Sequence, residues 1–501
     1  MMRTLLLHLV LLVPALFVGA VEYEGYTNPA GTKFPIAIYD NVPISINRVQ
    51  ILSDAEQKAY FDSIRLAGFN VELWGKGDIW RKDLVNKWAP YLKSIGINTI
   101  ISSRGHSLTR SKTPYDANTP DSILLEDNWE GLKTVITNYS QDPNVWGYWA
   151  CDEPTPRNWG VPVYELNKNE VAVIPTFNRV NKYKGDKIAY ANFVARSNET
   201  YIGHFATDNP DNSYVENFED YLDYMVDLFK LKFLTFDLYP VISNYAGMNP
   251  KWIIKQDYYN MMDLYGRYCR DRKIPVWLVM LSVEHARYDK PGGELDWEYP
   301  EITEGLLRMQ AMNGLAFGMK GIAYWQYGAQ NNWSGNTLYK SALYDTNKKM
   351  TTPAWKAARA VNLEAIQYGS YLQHAIYDKS CLAADINALS GKTTTDTMSP
   401  FDEFAEFSNS FECIKGITYN GKGVLLSHLV SDSGDYLAIV NQDYAKEQKL
   451  TIVFDKTKRI KRIKIAYPVA NNSIGTPEEF VPFTTTINLW PGEMALFKYP
   501  R

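Results

Sequence analysis

Residues 146–154 read WGYWACDEP: three aromatics in a segment fit for burial, then Asp152 and Glu153, then Pro154. Proline disfavours helix at the residue before it, so the segment reads as a strand that stops at its carboxylates. A buried strand ending in charge is the pattern of a (β/α)8 barrel, whose chemistry lies at the C-terminal ends of its strands. Such a fold needs seven more strands of the same kind.

The flanking sequence supplies them. Short β-rich runs recur as FPIAIYD (34–40), NVELW (70–74), INTIIS (97–102), VWGYWACDE (145–153), KIAYANF (187–193), KFLTFDLYP (232–240), IPVWLVML (274–281) and GIAYWQY (321–327). They are nearly continuously apolar, as strands covered on both faces must be. Between them, 55–67, 127–139, 216–229, 253–270, 302–317 and 353–367 carry apolar residues at the three-and-four spacing of amphipathic helices. Eight strand–helix units predict a TIM barrel. The competitor is an open, doubly wound sheet, but no Gly-rich phosphate loop follows the first strand. Beyond Tyr368 the pattern changes to GVLLSHLV, DYLAIVNQD, KLTIVFD, IKRIKIAYPV, TTTINLW and EMALFKYP, separated by turn residues, which predicts an all-β sandwich. The expected organisation is a leader over 1–20, a barrel over 21–369 and a β-sandwich domain over 370–501.

The leader expectation rests on Arg3, the apolar run 5–18 and the small residues Gly19 and Ala20, which suit cleavage near Ala20 and export to the periplasm or beyond. That run is short for a membrane span, and no later stretch is long enough. The chain has 501 residues and a formal charge of −4, with no basic stripe to suggest a nucleic-acid partner. Its 35 Tyr and 14 Trp include flat rings suited to sugar faces. Four cysteines are too few for a disulfide scaffold. Cys381 and Cys413, in the same C-terminal region, are candidates for a pair, whereas Cys151 and Cys269 read as buried thiols. Asn138, Asn198, Asn332 and Asn471 head glycan-acceptor triplets, which arise often by chance.

Taken at the strand ends, the candidates are Tyr39 and Asp40, Glu72 and Trp74, Arg104 and His106, Asp152 and Glu153, Asn192 and Arg196, Asp237 and Tyr239, Glu284 and His285, and Tyr324 to Tyr327. Carboxylates and aromatics at one mouth suit a sugar-processing cleft. Glycoside hydrolysis needs one protonated and one ionised carboxyl group, and aromatic walls raise the acid by desolvation. Glu153 is the candidate acid/base; its bland reading is a strand-ending charge that caps the next helix. Its partner is Glu284 as candidate nucleophile, or Asp237 as the alternative, each of which could instead orient a neighbour. Asp152, Trp74, Arg104, His106, Asn192, Tyr239, His285, Tyr324 and Trp325 are candidate sugar contacts, although a Trp in such a strand is more often core. Glu298, Glu301 and Glu304 read as an acidic first turn of a helix. No HExxH or paired-His spacing suggests a metal, no G-x-S-x-G elbow suggests a Ser nucleophile, and no cofactor is expected.

The carboxylate pair and Pro at strand 4, the strand-8 Trp and the trailing β-domain together resemble clan A glycoside hydrolases. More narrowly, GYWACDEP, FDLYP, IPVWLVMLSVEHARY and LAFGMKGIAYWQYG are similar to secreted bacterial barrel proteins that act on complex glycans. The resemblance implies Glu153 as acid/base, Glu284 as strand-7 nucleophile, and Trp325 at the sugar subsite. Two departures stand out: Asp152 replaces the Asn that the clan carries before its strand-4 Glu, and Glu284 sits in an unusual VEH context. The expectation is therefore an exported, retaining glycoside hydrolase acting on an oligo- or polysaccharide. The alternative is a non-catalytic glycan-binding protein on the same scaffold, since fold does not fix activity.

Overall fold

The computed structural model describes residues 23, 26–40, 45–46, 49–50, 52–74, 82–102, 133, 136–152, 177, 180–194, 218–243, 252–255, 258–384, 411–465 and 478–501. Eight parallel strands close into a barrel in chain order: β1 (Ile36–Asp40), β2 (Val71–Trp74), β3 (Asn98–Ser102), β4 (Val145–Asp152), β5 (Ile188–Val194), β6 (Leu234–Asp237), β7 (Val276–Leu281) and β8 (Gly321–Trp325). Pairing of β1 with β8 completes the closure and removes the open sheet from consideration.

Alternation along each strand sorts the side chains. Ala37, Tyr39, Val71, Leu73, Ile100, Trp149, Tyr190, Trp277, Val279 and Ala323 fill the interior. Their neighbours Ile36, Ile38, Trp74, Tyr148, Phe236, Leu278 and Tyr324 point outward against the helical layer. The small residues of β8 make room for the large ones opposite. A Cβ at Gly321 would lie 2.6 Å from the Trp277 ring. At the lower end, Tyr26 packs edge-on to Trp146, and the Trp146 Nε1 donates to Thr27 O at 3.1 Å.

The described helices are α1 (Asp54–Leu66), α2 (Lys82–Ser94), α3 (Phe218–Phe229), α4 (Tyr258–Arg272), α5 (Glu304–Ala316) and α6 (Pro353–Leu372). Ser53 and Glu56 form a reciprocal capping box that starts α1. The sequence places a helix from Ile253, but Trp252–Ile254 is a strand paired with Val241–Ser243, so α4 starts at Tyr258. The α6 helix runs past the expected end at Gln367 to Leu372. Of the expected acidic first turn only Glu304 belongs to α5, capped by Thr303; Glu298 is buried on a strand. Most of the helix expected over 127–139 lies outside the described residues.

The C-terminal region contains β9 (Ile376–Ala384), β10 (Ile414–Tyr419), β11 (Gly423–Ser431), β12 (Gly434–Asn441), β13 (Gln448–Phe454), β14 (Lys461–Ile463), β15 (Glu478–Phe480), β16 (Thr484–Leu489) and β17 (Met494–Tyr499). They form antiparallel sheets in the orders β9-β11-β12-β17-β14-β15 and β10-β13-β16. One face of the larger sheet, with Val424, Leu426, Leu437 and Ile439, shares a core with Leu450, Ile452 and Ile487 of the smaller. Its other face, with Leu425, Leu429, Tyr436, Ala438 and Leu496, belongs to the barrel's core. Cys381 and Cys413 are separate free thiols buried in the sandwich, not a disulfide, and Cys269 is a buried thiol as expected.

The junction between barrel and sandwich is polar as well as apolar. Arg308 of α5 donates to Glu364 of α6 and to Pro491 O, with Glu304 as a further partner. Asn313 and Gln442 exchange hydrogen bonds of 3.1 and 3.0 Å, and Tyr259 donates to Gln442 Oε1 at 2.7 Å. The backbones approach so closely that a Cβ on Gly305 would stand 2.1 Å from Tyr444 O. Among the described residues, no helix is long and apolar enough to cross a membrane.

Candidate active site

At the C-terminal mouth, the inward positions of β1, β4, β5 and β8 bring four aromatics together. Tyr39 lies 5.0 Å from Trp149 and 5.4 Å from Trp325, both edge-on, and its hydroxyl is hydrogen-bonded to that of Tyr190. Tyr39, Trp149 and Tyr190 are sealed beneath, whereas Trp325 is half-buried at the rim. The Trp325–Gln326 peptide is cis.

Above this layer stands a polar chain. Thr235 Oγ1 of β6 donates to Ala191 O at 2.9 Å and also approaches Asn192 Oδ1 at 3.3 Å. That orients the Asn192 amide so that its Nδ2 donates to Asp237 Oδ1 at 3.3 Å. Thr235 and Asn192 are buried, while Asp237 is partly open. Parallel register places Asp152 beside Asn192, so the end of β4 is one strand from this chain. Glu153 follows directly but, like Arg104 and His106, lies outside the described residues; so does the Asp152 side chain.

The other strand-7 candidates lie off the barrel. Glu284 and His285 open the strand Glu284–Tyr288 in a four-stranded antiparallel sheet with Leu295–Glu298, Thr337–Ser341 and Gln330–Ser334. Cross-strand register and a bulge at 284/285 put the two residues to different uses. Glu284 Oε1 accepts from Lys340 Nζ at 3.1 Å, and Glu298 Oε2 lies 3.5 Å from the same ammonium. Partial burial alone would lower the Lys340 pKa, but the bond to Glu284 and the charges of Glu284 and Glu298 outweigh it and raise it.

His285 is enclosed by Tyr239, Trp297, Tyr299 and Tyr339. Burial pushes its pKa down to about 4, against the opposing effect of the Val283 carbonyl. The ring is therefore neutral, with Nδ1–H donating to Val283 O at 2.9 Å.

The structure thus brings Asp237, Asn192 and Trp325 to one mouth, with Tyr239 linking it to the added sheet. Three expected sugar contacts are corrected. Trp74 is fully buried on the outer face of β2, and Tyr324 is buried on the outer face of β8, donating to Asn362 at 2.6 Å. His285 is a caged core residue. Alternation gives the reason: Leu73 and Trp325 take the inward positions that Trp74 and Tyr324 cannot share. Thr235, Lys340 and the Tyr39–Tyr190 bond are neighbours of these candidates that the sequence reading did not include. Among the described residues, no group of three or more His, Cys, Asp or Glu side chains is arranged to hold a metal.

A β-galactosidase from Bacillus circulans sp. alkalophilus matches this structure with a TM-score of 0.53 at 9% identity, over 93% of this chain and 99% of that one. The shared fold is a closed (β/α)8 barrel with an appended β-domain. The likeness extends over barrel and β-domain together, and it is one of architecture. Native xylanase 10B from Thermotoga maritima matches with a TM-score of 0.40 at 14% identity, over 67% of this chain and 95% of that one. No family model matches the sequence. A comparison with curated proteins also found no match.

Proposed function

We propose that this protein is an exported glycoside hydrolase that cleaves an oligo- or polysaccharide at the C-terminal mouth of its barrel. The observation that carries the reading is Asp237, held by Asn192 at the open end of an aromatic-lined barrel. Glu153, the next residue after β4, is the acid that protonates the glycosidic oxygen. Asp237, acceptor of the Asn192 amide, is the ionised partner. Their strands are two apart, about 10 Å at the backbone. A carboxyl pair ~5–5.5 Å apart would act with retention, and one ~6.5–9.5 Å apart with inversion.

Glu284 supports a second assignment, because it follows the end of β7 by three residues. The Lys340 ammonium donates to its carboxylate and holds it in place, the positioning a nucleophile needs. Glycan release from a polysaccharide panel, followed by proton NMR of the first-formed anomer, tests the proposal. Glu153→Gln is expected to lower turnover about 10²–10⁴-fold, and Asp237→Asn to do the same while Glu284→Gln leaves most activity. The reverse order for the last two moves the partner role to Glu284. Unchanged product release by Glu153→Gln overturns the acid assignment and favours a glycan-binding protein.

A further inference from the structure

The sheet added beyond β7 and β8 has two unlike faces. One carries His285 and its aromatic cage. The other carries Glu284, Lys340 and Glu298 at one end and an aromatic pair, Tyr288 and Trp333, at the other. Pairing of Ala286 with Leu338, and of Leu338 with Trp333, puts Tyr288 and Trp333 on the same side. Their rings lie 5.4 Å apart at 54°, and Trp333 is 42% exposed. Lys340 stands two residues from Leu338 on the same strand, so the ionic cluster and the aromatic pair lie on one side of the sheet.

From this surface we infer a distal glycan subsite, with Trp333 and Tyr288 as its aromatic platform. The inference rests on the reading of the mouth as a glycan-cleaving site and names its substrate class: a neutral oligosaccharide or polysaccharide chain. Glu284 adjoins the barrel, and Tyr288 lies four residues farther along an extended strand, about 13 Å away. A single sugar ring does not bridge that distance. A chain entering the mouth passes the Glu284–Lys340–Glu298 cluster before it reaches the platform. Two carboxylates approach the Lys340 ammonium there, so acceptors and a donor lie side by side. Neutral hydroxyls find both kinds of partner, whereas a uronate would bring a third carboxylate beside Glu284 and Glu298. Aromatic faces are well suited to such sugars, offering large apolar area with little loss of side-chain freedom.

The test uses the full chain as wild type, Trp333→Ala, Trp333→Phe and Tyr288→Ala. Probes are neutral β-linked gluco-, xylo-, manno- and galacto-oligosaccharides of increasing length, with uronate-containing oligosaccharides as the charged arm. Binding is read on an array and then by calorimetry, and circular dichroism confirms folding. Wild type is expected to bind at least one neutral series more tightly as chains lengthen, and the uronate series more weakly. Trp333→Ala should weaken the longest chain about tenfold, the equivalent of about 1.4 kcal/mol, and leave the shortest unchanged; Trp333→Phe should restore most of the loss. No binding, no dependence on length, or equal loss for short and long chains overturns the subsite. Hydrolysis is scored separately. Length-dependent binding that needs Trp333, without turnover, refutes the hydrolase and leaves the platform standing.

Discussion

Breaking the buried ion pair between α5 and α6 is expected to be among the most costly single changes in the molecule. Arg308 and Glu364 are 2% and 1% exposed. The guanidinium makes bonds of 2.9 and 3.0 Å to the two Glu364 oxygens and 3.2 Å to Pro491 O. Glu364→Gln removes the charge but keeps the volume, so Arg308 loses its buried carboxylate while the half-exposed Glu304 and the nearby Glu493 remain. Removing one partner of such a pair costs about 3–5 kcal/mol, and the surviving Glu304 points to the lower end. Replacing both residues together, as Arg308→Met with Glu364→Leu, should recover most of the loss, because a well-packed apolar pair avoids the desolvation of two charges. Urea unfolding followed by tryptophan fluorescence measures both differences. Asp296→Ala is the control: it breaks the exposed Arg287–Asp296 pair, worth at most about 1 kcal/mol. A Glu364→Gln penalty no greater than that of Asp296→Ala, or a double variant worse than the single, refutes the reasoning.

Three further outcomes are expected. His285 is pushed down to about 4 in the folded chain, against about 6.5 when unfolded, so the unfolded state binds more protons between those values. Its contribution is fully present above pH 6.5 and is lost as pH falls toward 4, about 3 kcal/mol in all; His285→Phe should flatten that part of a pH–stability curve, and an unchanged slope would count against it. Gly305→Ala must drive a methyl into Tyr444 O and Pro491, so the junction should open, read as faster amide exchange in 442–446 and 490–493. Thr235→Val removes the hydroxyl that orients Asn192, and should lower kcat several-fold with KM nearly unchanged if Asp237 is the partner carboxylate.

The architecture was legible because both parts advertise their period. Apolar runs such as 274–281 and 321–327 have no other use than strands covered on both sides, and the alternation in TTTINLW announces a half-exposed sheet. Less legible was the direction of individual side chains at the strand ends. A shift of one residue exchanges mouth for helix layer, which is how Trp74 and Tyr324 came to be read as sugar contacts. The added sheet was hidden for another reason. Its strands pair residues as distant as Glu284 and Ser341, and Lys340 stands 56 residues from its carboxylate, so no local pattern marks the bond. Asp237 was readable from the FDLYP motif, but its orientation by Asn192 and Thr235 depends on the register of two neighbouring strands.

The sheet that serves two cores decides what can be transplanted. Leu425, Tyr436 and Leu496 line the barrel's outer wall while their strand neighbours line the sandwich. Cutting the chain after α6 would bare that wall and strand Arg308 without Pro491. The smallest portable unit is therefore barrel and sandwich together, and a shuffling experiment that treats the barrel as a free-standing module should yield insoluble protein.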